Sequence, residues 1–135
     1  MKRGEPLVIV AVYLRGDRLC PSKLSSELGI QASHAQKKGD VIQGVKPVTA
    51  EIGLWALSAQ TKSVNISEHV DELLQKFQSV KRPLHRLDAV EEAYLDIFIA
   101  QDNETTDRNS IEAILSLEQV AKIGKLGLAV HLTVS

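Results

Sequence analysis

The strongest constraint on the fold is an uninterrupted apolar run near the N-terminus, from Leu7 to Leu14. The run is rich in valine and isoleucine, and the turn residues Arg15-Gly16-Asp17 follow it directly. This composition predicts a central β-strand that is covered on both faces. The run is too short for a signal peptide and has no small-residue cleavage site behind it, so we interpret it as a strand.

Two helices have clear start and stop signals in the sequence. Pro21 suits the first turn of a helix, and Gly29 provides a left-handed end to it. Further along, Asn65 and Glu68 have the spacing of a capping box. The apolar side chains that follow recur at helical spacing as far as Val80, which predicts an amphipathic helix.

Four other segments have the composition or alternation of strands. They are Ile52 to Ala59, Glu92 to Ala100, Ser110 to Leu115 and Leu128 to Val134. The segments Glu92 to Ala100 and Ser110 to Leu115 are predicted to form a direct hairpin, joined by the polar loop Asp102 to Asn109. A second capping box, Ser116 to Gln119, predicts a short helix before the last strand.

The predicted order is strand, helix, strand, helix, strand, strand, helix, strand, with Gln31 to Ala50 as a long irregular loop. This order, with one direct hairpin, predicts an α+β fold. We expect a two-layer sandwich with a mixed, mostly antiparallel sheet of about five strands and two to three helices. Residues 1–135 contain no evident linker or repeat and are predicted to form a single domain.

Composition restricts the partners and the compartment. Sixteen basic and seventeen acidic residues give a net charge of −1, which does not favour binding to nucleic acid. No stretch approaches the roughly 20 apolar residues that span a bilayer, so no membrane partner is expected. Cys20 is the one cysteine, which excludes an intramolecular disulfide and favours a reducing compartment. We therefore expect a cytoplasmic protein.

The sequence predicts neither a metal site nor a cofactor. Its four histidines lack metal-ligand spacing, and neither common phosphate-binding glycine motif occurs. His69 and Glu72 share a helix face, which we interpret as solvated polar surface. The combination of His131, Asp96 and Ser58 suggests a hydrolase only as the least favoured hypothesis, because triads are identified by geometry. The chain is accordingly expected not to be an enzyme.

Three phrases occur in an order that suggests a family. The first is Leu14-Arg15-Gly16-Asp17, the second is Lys38-Gly39-Asp40, and the third is the tryptophan strand from Gly53 to Ser58. With the proline-started helix that ends on Leu28-Gly29, they make the chain similar to the bacterial domain-of-unknown-function family DUF4279. The resemblance covers nearly the whole chain. It implies no reaction and no cofactor, but similar small bacterial domains occur as immunity partners of secreted toxins.

Charged residues at turns and loops are the candidate partner-binding residues. Either they form a polar recognition patch, in which an arginine can donate a bidentate pair of hydrogen bonds, or they pair with one another and are solvated. Acidic clusters among them could face a basic partner such as a toxin nuclease. The candidates are Arg15, Asp17, Lys38, Asp40, Asp88, Glu91, Glu92, Asp102, Glu104 and Asp107.

Trp55, the only tryptophan, is predicted to be a core residue whose indole N–H finds one acceptor. The leading functional hypothesis is an immunity protein that binds and neutralises a cognate bacterial toxin, in contact-dependent inhibition or a similar system. The alternative is a small-molecule-binding or regulatory module that uses the open sheet face around Tyr94, Phe98 and His131.

Overall fold

The structure is a computed structural model, and it describes residues 6–101 and 112–135. In chain order the strands are β1 (Leu7–Gly16), β2 (His34–Gln36), β3 (Val41–Ile42), β4 (Val48–Thr49), β5 (Gly53–Ser58), β6 (Glu92–Ala100) and β7 (Ala129–Val134). The helices are α1 (Pro21–Leu28), α2 (Ile66–Lys76) and α3 (Leu117–Lys125). A single 3₁₀ turn spans Leu84–Arg86.

Five strands form one mixed sheet in the order β2-β5-β1-β6-β7. Every neighbouring pair is antiparallel except β6 and β7, which are parallel. Strands β3 and β4 form a separate two-stranded ribbon. The predicted α+β class, the mixed and mostly antiparallel sheet of five strands, and the number of helices are confirmed.

The apolar run forms β1, the middle strand, but only one of its faces is covered by helices. Val10, Val12 and Leu14 are buried on the side that α2 packs against, while Leu7 and Ile9 on the opposite side are 43% and 41% exposed. The expectation that both faces are covered is therefore wrong. Leu7 and Ile9 are tolerated there because exposed apolar side chains are common on protein surfaces.

The core lies between the sheet and the helices, and Trp55 is at its centre. Trp55 is 0% exposed, its indole N–H donates to Ser25 Oγ at 2.9 Å, and its ring meets Phe77 edge-on at 6.1 Å. The predicted core role and the single acceptor agree with this geometry. The hydroxyl comes from α1, so the bond also ties that helix to β5.

The predicted hairpin after β6 is wrong for the residues that the structure describes. Residues 112–115 have no strand pairing, and residues 102–111 lie outside the described part of the chain. The position beside β6 is taken by β7, which runs parallel to it. A parallel pair needs a crossover, and α3 provides it. The short alternation of apolar residues before Ser116 is compatible both with an edge strand and with an unpaired extended segment that leads into α3.

The irregular loop contains more structure than predicted. It holds β2, which pairs with β5 at the sheet edge, and the short ribbon of β3 and β4. Of the two predicted capping boxes, the one at Ser116 is confirmed. The one predicted for Asn65 and Glu68 is present only as an N-cap, because the Asn65 N–H donates to Ser63 Oγ and not to Glu68. Ser116 and Gln119 form both bonds of a capping box, and Asn65 accepts from the Ser67 N–H at 3.0 Å.

Candidate functional site

Seven of the ten candidate partner-binding residues lie at one end of the sheet, where β1 ends and β6 begins. We call this region the charged end, and define it as Arg15, Asp17, Lys38, Asp40, Asp88, Glu91 and Glu92. The antiparallel register explains the clustering, because it places Arg15 directly opposite Glu92. Asp102, Glu104 and Asp107 fall outside the described residues.

Two ion pairs link residues of the charged end to one another, and a third links the charged end to α1. Arg15 Nη1 lies 3.6 Å from Glu92 Oε2, and Lys38 Nζ lies 3.6 Å from Asp17 Oδ1. Asp88 pairs with Lys23 of α1 at 3.7 Å. The side chains in these pairs are between 39% and 84% exposed. Such exposed pairs stabilise a fold by little, about 0–1 kcal/mol each, so they can be exchanged for other partners at low cost.

The remaining two carboxylates of the charged end accept backbone N–H groups. Glu91 Oε2 accepts from the Asp17 N–H at 2.5 Å, and Asp40 Oδ2 accepts from the Lys37 N–H at 2.8 Å. The Asp40 bond closes the turn at 37–40, whereas the Glu91 bond ties the residue before β6 to the turn after β1. The sequence left two alternatives open for these charges, recognition or mutual pairing, and in the structure each of them is paired with another of the seven, with Lys23 of α1 or with the backbone.

Two glycines shape the charged end for different reasons. Gly39 has φ +94°, a conformation that side chains with a Cβ rarely adopt. Gly16 instead faces the carbonyl oxygen of Ala89, which a Cβ at this position would overlap. Ala89 itself has φ +66°, which is uncommon for a residue other than glycine. The chain before β6 therefore presses closely on the end of β1.

The sheet face without helices carries a row of stacked rings. Tyr13 and Tyr94 stack at 5.4 Å, and Tyr94 stacks on His131 at 4.0 Å, each with an interplanar angle of 14°. Asp96 lies beside this stack, opposite His131 in the register of β6 and β7. Partial burial, together with the nearby Asp96 carboxylate and Tyr94, raises the pKa of Tyr13.

Strand register separates the three residues of the hydrolase hypothesis. Ser58 and Asp96 both pair with Ala11 of β1, from opposite sides. They are therefore two strand spacings apart, about 10 Å, and His131 is one strand further away. This spacing leaves Ser58 out of hydrogen-bonding reach of His131. It does not support a nucleophile–base pair.

His69 and Glu72, expected on a solvated surface, hold the chain segment that precedes α2. His69 is only 2% exposed, and its Nε2 lies 2.6 Å from the Ser63 carbonyl oxygen. Glu72 accepts from the N–H groups of Gln60 and Thr61 at 2.6 and 3.0 Å. The expectation was wrong because the segment at 60–63 folds over this face of the helix. His69 Nδ1 is buried without a partner.

A groove of about 1380 Å³ between α2 and α3 was not predicted from the sequence. Its apolar lining includes Leu74, Val80 and Leu126, and its polar lining includes Lys81 and Lys125. None of the seven candidate residues that the structure describes lines it. Across residues 6–101 and 112–135, no group of three or more His, Cys, Asp or Glu side chains is placed to hold a metal ion.

No helix within the described ranges has the length and apolar character needed to cross a bilayer. One family model, that of the Domain of unknown function (DUF4279), matches residues 7–135. The match includes the charged end, the open sheet face and the whole of β7. No curated protein and no solved structure matches the chain.

Proposed function

The chain belongs to the family described as Domain of unknown function (DUF4279), and we propose that it is a small cytoplasmic immunity protein that binds and neutralises a cognate bacterial toxin. The observation that carries the proposal is the charged end. Segments that are far apart in the sequence bring seven charged side chains together there. A surface assembled in this way depends on the fold, as a specific protein-binding surface does.

The ion pairs of the charged end suit recognition of a charged partner. Their side chains are exposed and weakly held, so a partner's side chains can replace the internal ones. A basic toxin surface would compete with Arg15 for Glu92 and with Lys23 for Asp88. Complementary charge of this kind mainly accelerates association and sets specificity. One cysteine in the chain is consistent with the proposed cytoplasmic location.

Co-expression with the product of the adjacent upstream gene tests the proposal. We expect a stable complex in size-exclusion chromatography and protection of the host from growth arrest by that product. Asp88→Lys with Glu92→Lys should slow association at least tenfold, because both carboxylates are then replaced by like charge. Glu118→Lys, an exposed residue on α3, is the matched control. If the unaltered chain neither binds that product nor protects the host, the proposal is wrong.

The stacked rings of the open sheet face favour a second candidate function, a small-molecule-binding or regulatory module. Tyr13, Tyr94 and His131 present a continuous aromatic surface with a carboxylate, Asp96, beside it. Ligand sites are commonly lined by aromatic side chains together with a few polar groups that fix the orientation of the ligand. A metabolite that binds there should raise the unfolding temperature of the chain, and Tyr94→Ala should remove that gain.

A further inference from the structure

Strand β7 is an edge strand whose six residues are all exposed. Leu132 lies opposite Ile97 of β6 and so faces the helix side of the sheet. Ile97 is 5% exposed, whereas Leu132 is 61% exposed. Val130 and Val134, in the same row, are 49% and 57% exposed. The helix layer therefore stops before it reaches this strand.

Among the described strands, none pairs with the outer edge of β7, and the main-chain groups on that edge belong to the same three residues. The Ser135 N–H donates to the Ile99 carbonyl, and the Ser135 carbonyl accepts from the Gln101 N–H, so both main-chain groups of Ser135 point toward β6. Successive residues of a strand direct these groups to opposite sides. Those of Val130, Leu132 and Val134 therefore point away from β6, along the open edge.

Helix α3, which leads directly into β7, leaves an apolar flank exposed. Gln119 and Ile123 are its buried residues, and Glu118 and Lys122 line the groove on the α2 side. Leu117 and Val120 lie on the flank away from that groove, three residues apart on one side of the helix. They are 90% and 53% exposed. Nothing among residues 6–101 and 112–135 covers either the flank or the β7 row, and we call the two together the β7 surface.

We propose that the β7 surface binds a second copy of this chain, by antiparallel pairing of the two β7 strands across a twofold axis at Leu132. In this register Leu132 faces Leu132 of the other copy, and Val130 faces Val134. All three outward-pointing residues then exchange main-chain hydrogen bonds, which extends the sheet from five strands to ten. The apolar helix flank of each copy covers the joined strands.

A second copy fits this surface for two reasons. The strand sequence from Ala129 to Ser135 contains no Lys, Arg, Asp or Glu, so two copies meet without like-charge repulsion. Burying a valine or leucine side chain removes on the order of 100 Å² from water, so the five partly exposed side chains offer roughly 300 Å² of apolar surface per copy. A standard interface buries about 800 Å² per partner, of which a little over half is apolar. The five side chains supply roughly two-thirds of that apolar area, and the paired main chain adds to the total buried area.

Cysteine cross-linking of the full chain tests the register. In a Cys20→Ser background, Leu132→Cys should form a disulfide between copies under mild oxidation, because paired residues at this position lie about 5.5 Å apart. Thr133→Cys is the matched control. It faces residue 131 of the other copy, so its own counterpart lies beyond disulfide range. Cross-linking through Thr133→Cys, or through His131→Cys, in preference to Leu132→Cys would overturn the register.

Sedimentation of the cysteine-free chain tests the assembly. We expect a concentration-dependent dimer whose dissociation constant rises at least 100-fold in Leu132→Lys, because two lysines then meet at the axis. Val41→Lys, at another exposed valine, should leave the dimer unchanged. A chain that stays monomeric at every concentration overturns the proposal. The toxin is absent from both experiments, so their outcome is independent of the immunity proposal.

Discussion

Trp55 and Leu132 face the same side of the same sheet, but one is 0% exposed and the other 61% exposed. Trp55 lies under α1 and α2, where Ser25 and Phe77 contact its ring. Leu132 lies in the edge strand, beyond the last helix. Both strands place apolar side chains at alternate positions on the helix side of the sheet, Trp55 and Leu57 in β5 and Val130, Leu132 and Val134 in β7. Periodicity therefore indicates which side chains face the same way, and the extent of the helix layer over the sheet decides which of them are covered.

The largest test of this comparison is truncation at the two positions. Trp55→Ala should lower the free energy of unfolding by about 3–5 kcal/mol, because it leaves a large cavity and leaves Ser25 without its donor. Leu132→Ala should change that free energy by no more than about 0.5 kcal/mol in dilute monomer, as exposed positions do. Urea denaturation followed by far-UV circular dichroism measures both. Similar costs at the two sites would contradict the contrast between covered and uncovered rows.

The covered side also contains a polar junction between α2 and α3. Gln119 is 6% exposed, and its amide donates to the Ser67 carbonyl at 3.1 Å and to Asp71 Oδ1 at 2.7 Å. Gln119→Glu replaces that donor with a carboxylate facing Asp71. We expect a loss of about 1–3 kcal/mol in the free energy of unfolding.

Glu118→Gln is the matched control for the helix junction. Glu118 is adjacent in sequence, and its ion pair with Lys122 at 3.0 Å is exposed. Pairs of this kind contribute roughly 0.3–0.5 kcal/mol, so the control should cost no more than that. If the two substitutions cost the same, the bonds of Gln119 do not hold the helices together.

The sequence alone was enough to predict those elements and core positions that depend on short local segments. The apolar run, the capping box at Ser116 and the core position of Trp55 all follow from short segments. The crossover to β7 and the strand β2 depend on partners remote in the chain, which periodicity does not report. His69 shows the same limit: its helix position is clear, but its burial depends on how the segment at 60–63 folds back.

The sequence predicted which charged residues belong to the charged end but not how they pair with one another. Each turn could be recognised from Gly16 or Gly39 and the charges beside it. Which charge meets which depends on the register of β1 and β6, and no local pattern predicted that Arg15 would face Glu92. The open sheet face was anticipated for Tyr94 and His131, whereas Tyr13 joins their stack only because β1 lies next to β6.

A double-mutant cycle on Arg15 and Glu92 tests the weak-pair interpretation of the charged end. We expect a coupling energy of about 0–1 kcal/mol between Arg15→Gln and Glu92→Gln, falling further in high salt. Chemical denaturation of the four proteins gives the value. A coupling well above that range would mean that the charged end is a rigid structural feature of the free protein and poorly suited to exchanging partners.

The last prediction concerns Tyr13 on the uncovered face, where we expect a change in the pKa of the phenol and no loss of the fold at neutral pH. Burial and the Asp96 carboxylate raise the pKa of Tyr13 above its ordinary value of 10.0. The neutral phenol is the form that the folded state favours. Its contribution to stability is therefore complete below pH 10 and is lost as the pH rises through the raised pKa.

Asp96→Asn removes the negative charge and should bring the pKa of Tyr13 down toward its ordinary value. The chain has two tyrosines, so the titration is best followed by ultraviolet absorbance in a Tyr94→Phe background, where Tyr13 is the only phenol. Asp88→Asn, at the charged end, is the matched control, because Asp88 is not among the groups that raise this pKa. An unchanged pKa of Tyr13 in Asp96→Asn would show that the carboxylate does not act on the ring stack, and would weaken the case for a ligand site that combines the two.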